Sequence, residues 1–196
     1  MKVSFRRLWQ YTLIVAMLML VVGIATDTKD VERYASRMEK LMADGDYEKA
    51  LTVGDRSDKT DRKLMMLRIE ALGHEHLLGE RLFAYPMLKG QGSGLVARGG
   101  DYELCGYLID KQLDRFVAAL PRYYKIDTQL PRYYREALVQ YCHLRANPAV
   151  VFHDAVLDAD YQDMQQLERQ HKAGNARQMA VFQQYEGTYW YFYEYL

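Results

Sequence analysis

The sequence predicts an all-α protein in which an N-terminal membrane helix is followed by a stack of helical hairpins and closed by an aromatic helix. Three observations carry this prediction: an uncharged apolar stretch near the N-terminus, a regular spacing of helix-turn-helix patterns, and a C-terminal segment rich in Tyr and Trp. The chain has 196 residues, 49% of them hydrophobic, which suffices for one core but not comfortably for two. We therefore expect a membrane helix over residues 1–25 and one helical domain over residues 26–196.

The N-terminal segment combines a basic start with a long apolar stretch. Residues 2–7 contain three Lys or Arg and no acid, and the next charged residue is Asp27, so nineteen residues pass without a charge. This pattern is typical of a secretory signal peptide or of an uncleaved membrane anchor. Gly23 and Ala25 are small residues at positions suited to cleavage after Ala25. By the positive-inside rule the basic end stays in the cytoplasm and the remainder is exported.

We predict a single-pass membrane protein held in the membrane by residues 8–25, with its C-terminal domain on the exported side; secretion after cleavage near Ala25 is the alternative. Residues 1–25 hold three of the 26 basic residues and none of the 26 acidic ones, which leaves 23 against 26, a net charge of −3. With its basic residues scattered, the exported part is unsuited to nucleic acid or to an electrostatic grip on anionic lipid.

The residues after Val31 predict amphipathic helices joined by tight turns. In the first hairpin, apolar residues recur at intervals of three and four up to Met42, a turn lies at Gly45, and a short second helix begins at Tyr47. A second hairpin repeats the pattern, with its turn predicted at Gly79. About four such hairpins fit between the anchor and the C-terminus.

Corresponding positions in these hairpins recur every 34 residues. Gly45 and Gly79 are 34 apart, and so are Ala50 and Ala84, and Ala84 and Ala118. A helix-turn-helix unit of 34 residues is that of the tetratricopeptide repeat, and GDYEKAL at 45–51 resembles the turn and second-helix start of that motif. The small Ala lets two helices cross closely. We therefore expect a tetratricopeptide-like α-solenoid, with a non-repetitive helical domain as the alternative.

The pentapeptide LPRYY occurs twice, at residues 120–124 and 130–134. Because Pro breaks a helix interior but is favoured at the first helical position, the first copy is predicted to end a helix and the second to begin one at Pro131. The candidate binding patch is formed by the two Arg-Tyr-Tyr triplets, Arg122, Tyr123, Tyr124, Arg132, Tyr133 and Tyr134. Brought together, they can bind an extended peptide or a sugar. In the alternative, which we favour, the tyrosines pack between helices and the arginines face water.

No motif in the sequence predicts catalysis or a bound cofactor. His74 and His76 are two residues apart, which on a helix points them to different sides. The glycine-rich segment 90–100 lacks the lysine of a phosphate-binding loop and is interpreted as an inter-repeat loop. Cys105 and Cys142 form no metal-binding spacing and are either a disulfide or two free thiols. We predict no enzyme activity, no cofactor and no metal.

Three segments, KQLDRFVAALPRYY, LPRYYREAL and YEGTYWYFYEY, resemble the C-terminal part of an uncharacterised family of bacterial multi-spanning membrane proteins. In that family a helical repeat domain follows a bundle of membrane helices. The resemblance covers residues 8–196, and its motifs are aromatic and structural, so it implies no activity. It implies that RRLWQYTLIVAMLMLVVGIA corresponds to the last membrane helix, which favours an anchor over a cleaved peptide. It also implies that the membrane is a bacterial inner membrane, with the C-terminal domain in the periplasm.

The C-terminal residues 176–195 are predicted to form one aromatic helix. It caps the open end of the solenoid or lies at the membrane interface, where Trp and Tyr are common; we favour the cap. The whole pattern predicts a non-catalytic scaffold that binds a membrane or envelope protein, or a peptide, on the exported side of the membrane. A glycan-binding accessory protein or enzyme that uses a Tyr-rich surface is the alternative.

Overall fold

The computed structural model describes the backbone of residues 5–196, and the side chains of these residues except 5–8, 10 and 18–28. This part of the chain is helical and contains no strand, which confirms the all-α prediction. Its eleven α-helices are α1 (Phe5–Ala43), α2 (Tyr47–Leu51), α3 (Arg62–His74), α4 (Leu78–Arg81), α5 (Ser93–Val96), α6 (Gly100–Ile109), α7 (Leu113–Ala119), α8 (Arg132–Leu144), α9 (Ala155–Gln170), α10 (Asn175–Tyr185) and α11 (Tyr189–Tyr195). Two 3-10 turns, Leu82–Ala84 and Leu120–Arg122, extend α4 and α7.

The first helix, α1, is a single unbroken rod of 39 residues. Its C-terminal half joins the domain core, because Val31, Ala35 and Met38 are buried and the helix contacts α2 and α3. Its N-terminal half carries large apolar side chains that are 51% to 66% exposed: Trp9, Tyr11, Leu13, Ile14, Val15 and Met17. The same helix therefore has a packed end and an unpacked apolar end.

In the described part of the chain, no helix meets the combined length and apolarity that a membrane crossing requires. The side chains of residues 18–28 lie outside the description. The description therefore leaves out the side chains of most of the predicted apolar stretch and of Ala25, the predicted cleavage position.

Three helix pairs, α1 with α2, α3 with α4 and α6 with α7, are closed by the same kind of turn. One residue of each turn has a positive φ: Gly45 (81°), His76 (57°) and Lys111 (56°). The next amide then donates to a carbonyl five residues back, from Asp46 to Leu41 (2.9 Å), Leu77 to Leu72 (2.8 Å) and Gln112 to Tyr107 (2.8 Å). This is the Schellman closure, which satisfies carbonyls left free at a helix C-terminus.

The predicted turn at Gly79 is wrong. The second turn lies at His76, so the three closures are 31 and 35 residues apart instead of 34. Gly79 lies inside α4, where a Cβ would come within 2.6 Å of Pro131 Cβ. Ala84 and Ala118, which the 34-residue register made equivalent to the buried Ala50, are exposed. The register failed because the left-handed position is occupied by His76 and Lys111, which the sequence does not mark as turn residues.

The glycine-rich segment 90–100 is not the plain loop predicted. It contains the short helix α5, which packs on α6. Gly92 and Gly106 allow this contact, because a Cβ on Gly92 would lie 2.0 Å from the Gly106 carbonyl oxygen. Both cysteines are free thiols, and Cys105 is buried in α6.

The C-terminal region also differs from the predicted layout. A separate helix, α9, precedes the predicted aromatic helix and begins at Ala155, because the Asp154 side chain accepts hydrogen bonds from two amides of its first turn. The single helix predicted over 176–195 is interrupted at Gly187, whose φ of 77° ends the helical path before α11. Four consecutive aromatic residues of α11 are buried, and α11 packs on α8.

Candidate functional site

The two copies of LPRYY occupy different structural positions. The first forms the 3-10 turn Leu120–Arg122 directly after α7, so it ends a helix as predicted. The second copy precedes α8. Pro131 is the N-cap residue, directly before the first helical residue, whereas the prediction made it the first helical residue. Both copies place aromatic and basic side chains against carboxylates of neighbouring helices.

The Arg122 and Tyr123 side chains of the first copy hold Glu103 of α6. Arg122 Nη2 donates to Glu103 Oε1 at 2.5 Å, and Tyr123 Oη donates to Oε2 at 2.6 Å. Tyr107, one turn further along α6, adds a third donor at 3.1 Å. The hydrogen bond from Tyr123 lowers the pKa of Glu103, burial opposes this effect, and the bonds from Arg122 and Tyr107 lower the pKa further, so that it lies below the ordinary 4.5.

The last tyrosines of the two copies meet at Asp101. Tyr124 and Tyr134 both donate to Asp101 Oδ1 at 2.8 Å, and their ring centroids are 5.6 Å apart. Tyr134 is fully buried, and its hydroxyl also lies 3.6 Å from Cys105 Sγ. Burial raises the pKa of Cys105 to about 12, so the thiol stays protonated. These contacts tie α8 and the turn after α7 to the first turn of α6.

The second copy also anchors the C-terminal helix through Glu136. Arg132 Nε donates to Glu136 Oε1 at 2.6 Å, and the Tyr189 amide donates to Oε2 at 2.7 Å. The Trp190 indole donates to the Glu136 carbonyl oxygen at 2.8 Å. Burial raises the pKa of the Glu136 carboxyl, and the charge and hydrogen bond of Arg132 oppose the rise. Tyr133 adds a bond to the Gly187 carbonyl oxygen at 3.1 Å.

The predicted patch is therefore divided. Tyr124 and Tyr134 come together, whereas Arg122 and Arg132 bind different carboxylates. Tyr133 and Tyr134 are buried, and Tyr123 is 41% exposed.

A cleft of about 590 Å³ lies beside the second copy. Three segments line it: the loop 55–58, residues 83–87, and the chain from Phe182 to Leu196, with Arg132 at its edge. The larger apolar side chains that line it are Phe83, Tyr85, Met87, Phe182, Tyr191 and Phe192, and the charged ones are Asp55, Arg56, Asp58, Arg132 and Glu186. Apolar walls with a few charged groups at set positions are typical of a ligand site.

Sequence patterns did not identify this cleft. Its walls are about 30 and 100 residues apart in the sequence, and no single wall has a distinctive spacing. Phe83 joins the 83–87 wall to the C-terminal wall, since its ring centroid lies 4.9 Å from that of Phe192. Only the aromatic composition of residues 182–195 signals that a large apolar surface is built there.

The sequence model of the DUF6057 family, described as a family of unknown function, matches residues 97–196, just over half of the chain. This chain belongs to the DUF6057 family. The predicted resemblance to an uncharacterised family is thereby confirmed. No curated protein and no solved structure matches the chain.

The part matched to DUF6057 contains the whole carboxylate network. Asp101, Glu103 and Glu136 lie in it, together with both LPRYY copies and the aromatic helix α11. It supplies one side of the cleft, whereas the walls at 55–58 and 83–87 precede it.

The pKa of Glu103 predicts a pH-dependent contribution to stability in this DUF6057 protein. Because the carboxylate is stabilised in the folded state, its contribution is complete above the ordinary pKa of 4.5 and is lost as pH falls through the lowered folded value. We expect Glu103→Gln to be less stable than the wild type at neutral pH, and the difference to shrink below pH 4.5. Urea unfolding followed by circular dichroism from neutral pH to about pH 3 measures it.

Glu48→Gln, which neutralises an exposed glutamate of α2, is the matched control. Its stability difference from the wild type should stay small over the same pH range. If Glu103→Gln and the wild type lose stability in parallel as pH falls, the Tyr123 and Arg122 contacts do not stabilise the ionised carboxylate.

Proposed function

We propose that this protein is a membrane-anchored helical-repeat scaffold that binds a protein or peptide segment, without catalysis, on the exported side of a bacterial inner membrane. The observation that carries the proposal is the aromatic and charged cleft between residues 55–58, 83–87 and the C-terminal helices. A peptide fits such a cleft because apolar side chains bury against the rings while charged groups fix its orientation.

The exposed apolar end of α1 supports a membrane anchor. Trp9, Leu13 and Met17 lie at intervals of four and are all more than half exposed, and so are Ile14 and Val15 on other sides of the helix. A helix that is apolar on all sides is typical of a buried or membrane-inserted segment. The single-pass topology with a periplasmic domain follows from the basic residues that precede it.

The continuity of α1 suggests that the cleft lies close to the membrane surface. Ala25 and Tyr34 are nine residues apart in one helix, a rise of about 14 Å. The Tyr34 ring packs directly on Gly54, where a Cβ would lie 2.9 Å from Tyr34 Cδ2. Gly54 precedes Asp55 of the cleft, so we expect the natural partner to be a membrane protein or a segment next to the membrane.

The three matching turn closures support a tetratricopeptide-like repeat. They are spaced by 31 and 35 residues, close to the 34 of that repeat, and α1 packs on α3 while α4 packs on α6. Each unit then buries its apolar face against the next unit, and the stack presents an extended binding surface.

The carboxylate network supports a role without chemistry. Asp101, Glu103 and Glu136 each accept hydrogen bonds from two or more groups of this chain. A carboxylate held in this way fastens helices together and has little capacity left for a substrate. The Arg-Tyr-Tyr triplets are proposed to position the cleft walls, and of their six residues Arg132 also lines the cleft and can contact the partner.

A glycan is the second candidate ligand. The cleft contains the rings of Tyr85 and Tyr191 together with the carboxylates of Asp55, Asp58 and Glu186. Aromatic rings stack on sugar faces, and carboxylates accept hydrogen bonds from sugar hydroxyls. This alternative uses the same cleft, so one experiment can separate the two.

Photo-crosslinking from the cleft tests the proposal. A benzophenone amino acid replaces Ala84, which is exposed and lines the cleft, in the full chain expressed in bacterial membranes. Val151, which is 68% exposed and outside the cleft, is the control position. We expect a discrete protein adduct from position 84 and none from position 151. The same membranes test the anchor: after alkaline washing, the chain should still sediment with them.

Two results would contradict the scaffold. Identical adducts from both positions would show that the cleft selects nothing. If position 84 gives no protein adduct and peptidoglycan fragments bind with an affinity that Tyr191→Ala abolishes, the glycan is the better assignment. Release of the chain by alkaline washing would contradict the membrane anchor but not the binding of a peptide in the cleft.

A further inference from the structure

Arg68 of α3 is a buried guanidinium directly behind the cleft. Its side chain is 1% exposed, and its Nη2 atom donates to the Gly54 carbonyl oxygen at 3.0 Å. The guanidinium carbon lies 5.1 Å from the centre of the Tyr85 ring. Gly54 adjoins the cleft residue Asp55, and Tyr85 itself lines the cleft, so Arg68 is one residue layer from the cleft interior.

Much of the hydrogen-bonding capacity of Arg68 is not used. Among the described residues, its Nε and Nη1 atoms have no hydrogen-bond acceptor, although both are shielded from solvent. A guanidinium has five N–H donors, and an unpaired buried charge is costly. Arg68 thus has spare donors directly behind the exposed loop that forms one wall of the cleft.

The loop wall is exposed on its outer side and is held to the core at Gly54. Asp55, Arg56 and Asp58 are exposed, and the carbonyl of Gly54 is the acceptor that ties the loop to Arg68. Burial lowers the pKa of the Arg68 guanidinium, and the charge of the nearby Asp55 opposes this shift. Asp55 makes no ion pair with Arg68 in the described structure. An anion in the cleft therefore reaches the spare donors only when residues 54–58 shift.

We propose that the cleft binds peptides carrying an anionic side chain, a carboxylate or a phosphate, and that Arg68 receives this group. The inference rests on the proposed peptide-binding function and adds the ligand class. The apolar lining formed by Phe83 and Phe182 takes a neighbouring large apolar side chain, while the anionic oxygen atoms accept from Arg68 Nε and Nη1. Asp55 is displaced as the anion enters, because two negative charges at one site repel.

The test compares three capped dipeptide amides that differ only at the first residue: N-acetyl-aspartyl-, N-acetyl-phosphoseryl- and N-acetyl-asparaginyl-phenylalanine amide. Binding to the full chain in detergent is measured by titration calorimetry. We expect at least one anionic probe to bind about tenfold more tightly than the asparaginyl probe, as hydrogen bonds to charged groups allow. Which probe binds identifies the carboxylate or the phosphate as the natural group.

Two arginine variants separate Arg68 from general electrostatics. Arg68→Gln should abolish the preference for the anionic probe, whereas Arg56→Gln, which removes an exposed cation of the same cleft, should change affinity by no more than about threefold. Asp55→Asn should tighten anionic binding by about threefold because it removes the competing charge. Circular dichroism tests whether Arg68→Gln is folded. If it is unfolded, the inference is decided by the preference of the wild-type protein among the three probes and by the affinity of the Asp55→Asn variant.

The inference is overturned if the three probes bind equally, or if Arg56→Gln and Arg68→Gln weaken binding to the same extent. It is also overturned if Asp55→Asn leaves anionic binding unchanged. These failures are distinct from failure of the scaffold. An adduct from position 84 combined with equal probe binding preserves the peptide-binding function and rejects only the anionic ligand.

Discussion

Replacing Trp190 by alanine is expected to lower the free energy of unfolding by about 3–5 kcal/mol, as for other large aromatic residues in a core. Trp190 is 2% exposed, its indole donates to the Glu136 carbonyl oxygen at 2.8 Å, and its ring lies edge-on to Tyr161 with centroids 5.2 Å apart. The substitution leaves a cavity between α8, α9 and α11. Because domains of this size are stable by only about 5–15 kcal/mol, much of the native stability is lost.

The chain contains its own control for this experiment. Its other tryptophan, Trp9, is 63% exposed on α1, and Trp9→Ala should change stability by less than about 0.5 kcal/mol. Urea unfolding in detergent, followed by far-ultraviolet circular dichroism, measures both variants. Equal destabilisation by the two substitutions would contradict the assignment of Trp190 to the core.

Local sequence patterns predicted the helices better than the connections between them. The stripe beginning at Val31 is buried as expected, and the turn at Gly45 lies where the glycine indicated. The next two turns are formed by His76 and Lys111, which adopt a positive φ within the same Schellman closure although neither is a glycine. These residue types do not mark such a turn in a sequence, so the glycine-based register placed the second turn three residues too late, at Gly79.

The carboxylate partners show the same limit for the site. The repeated LPRYY pentapeptides marked the right region, but their acceptors Asp101 and Glu103 lie 19 to 33 residues earlier in the chain. The Tyr189 amide that donates to Glu136 lies more than fifty residues after it. Identical side chains therefore have different surroundings, with Tyr123 partly exposed and Tyr133 buried. Pairing across helices, which periodicity does not encode, decides whether a tyrosine is a surface or a core residue.

Gly92→Ala is the second substitution with a large expected effect. Gly92 has an ordinary φ of −79°, so alanine is acceptable to the local backbone. The penalty comes from packing: the new Cβ would lie 2.0 Å from the carbonyl oxygen of Gly106 and 2.8 Å from its carbonyl carbon. Backbone atoms of α6 cannot rotate away as a side chain can, so α5 must separate from α6. We expect a loss of about 1–3 kcal/mol or more, measured by thermal and urea unfolding.

Gly94→Ala, two residues further along, isolates this packing effect. In the described structure a Cβ at Gly94 has no neighbour within 4 Å, and Gly94 lies inside the helix α5. Alanine there reduces the freedom of the unfolded chain and should stabilise the protein by about 0.4–1 kcal/mol. The two variants share the same chemical change and the same short segment, so opposite signs can arise only from the contact with Gly106. Similar shifts for both would mean that α5 does not pack closely on α6 and that segment 90–100 is the loop its composition predicted.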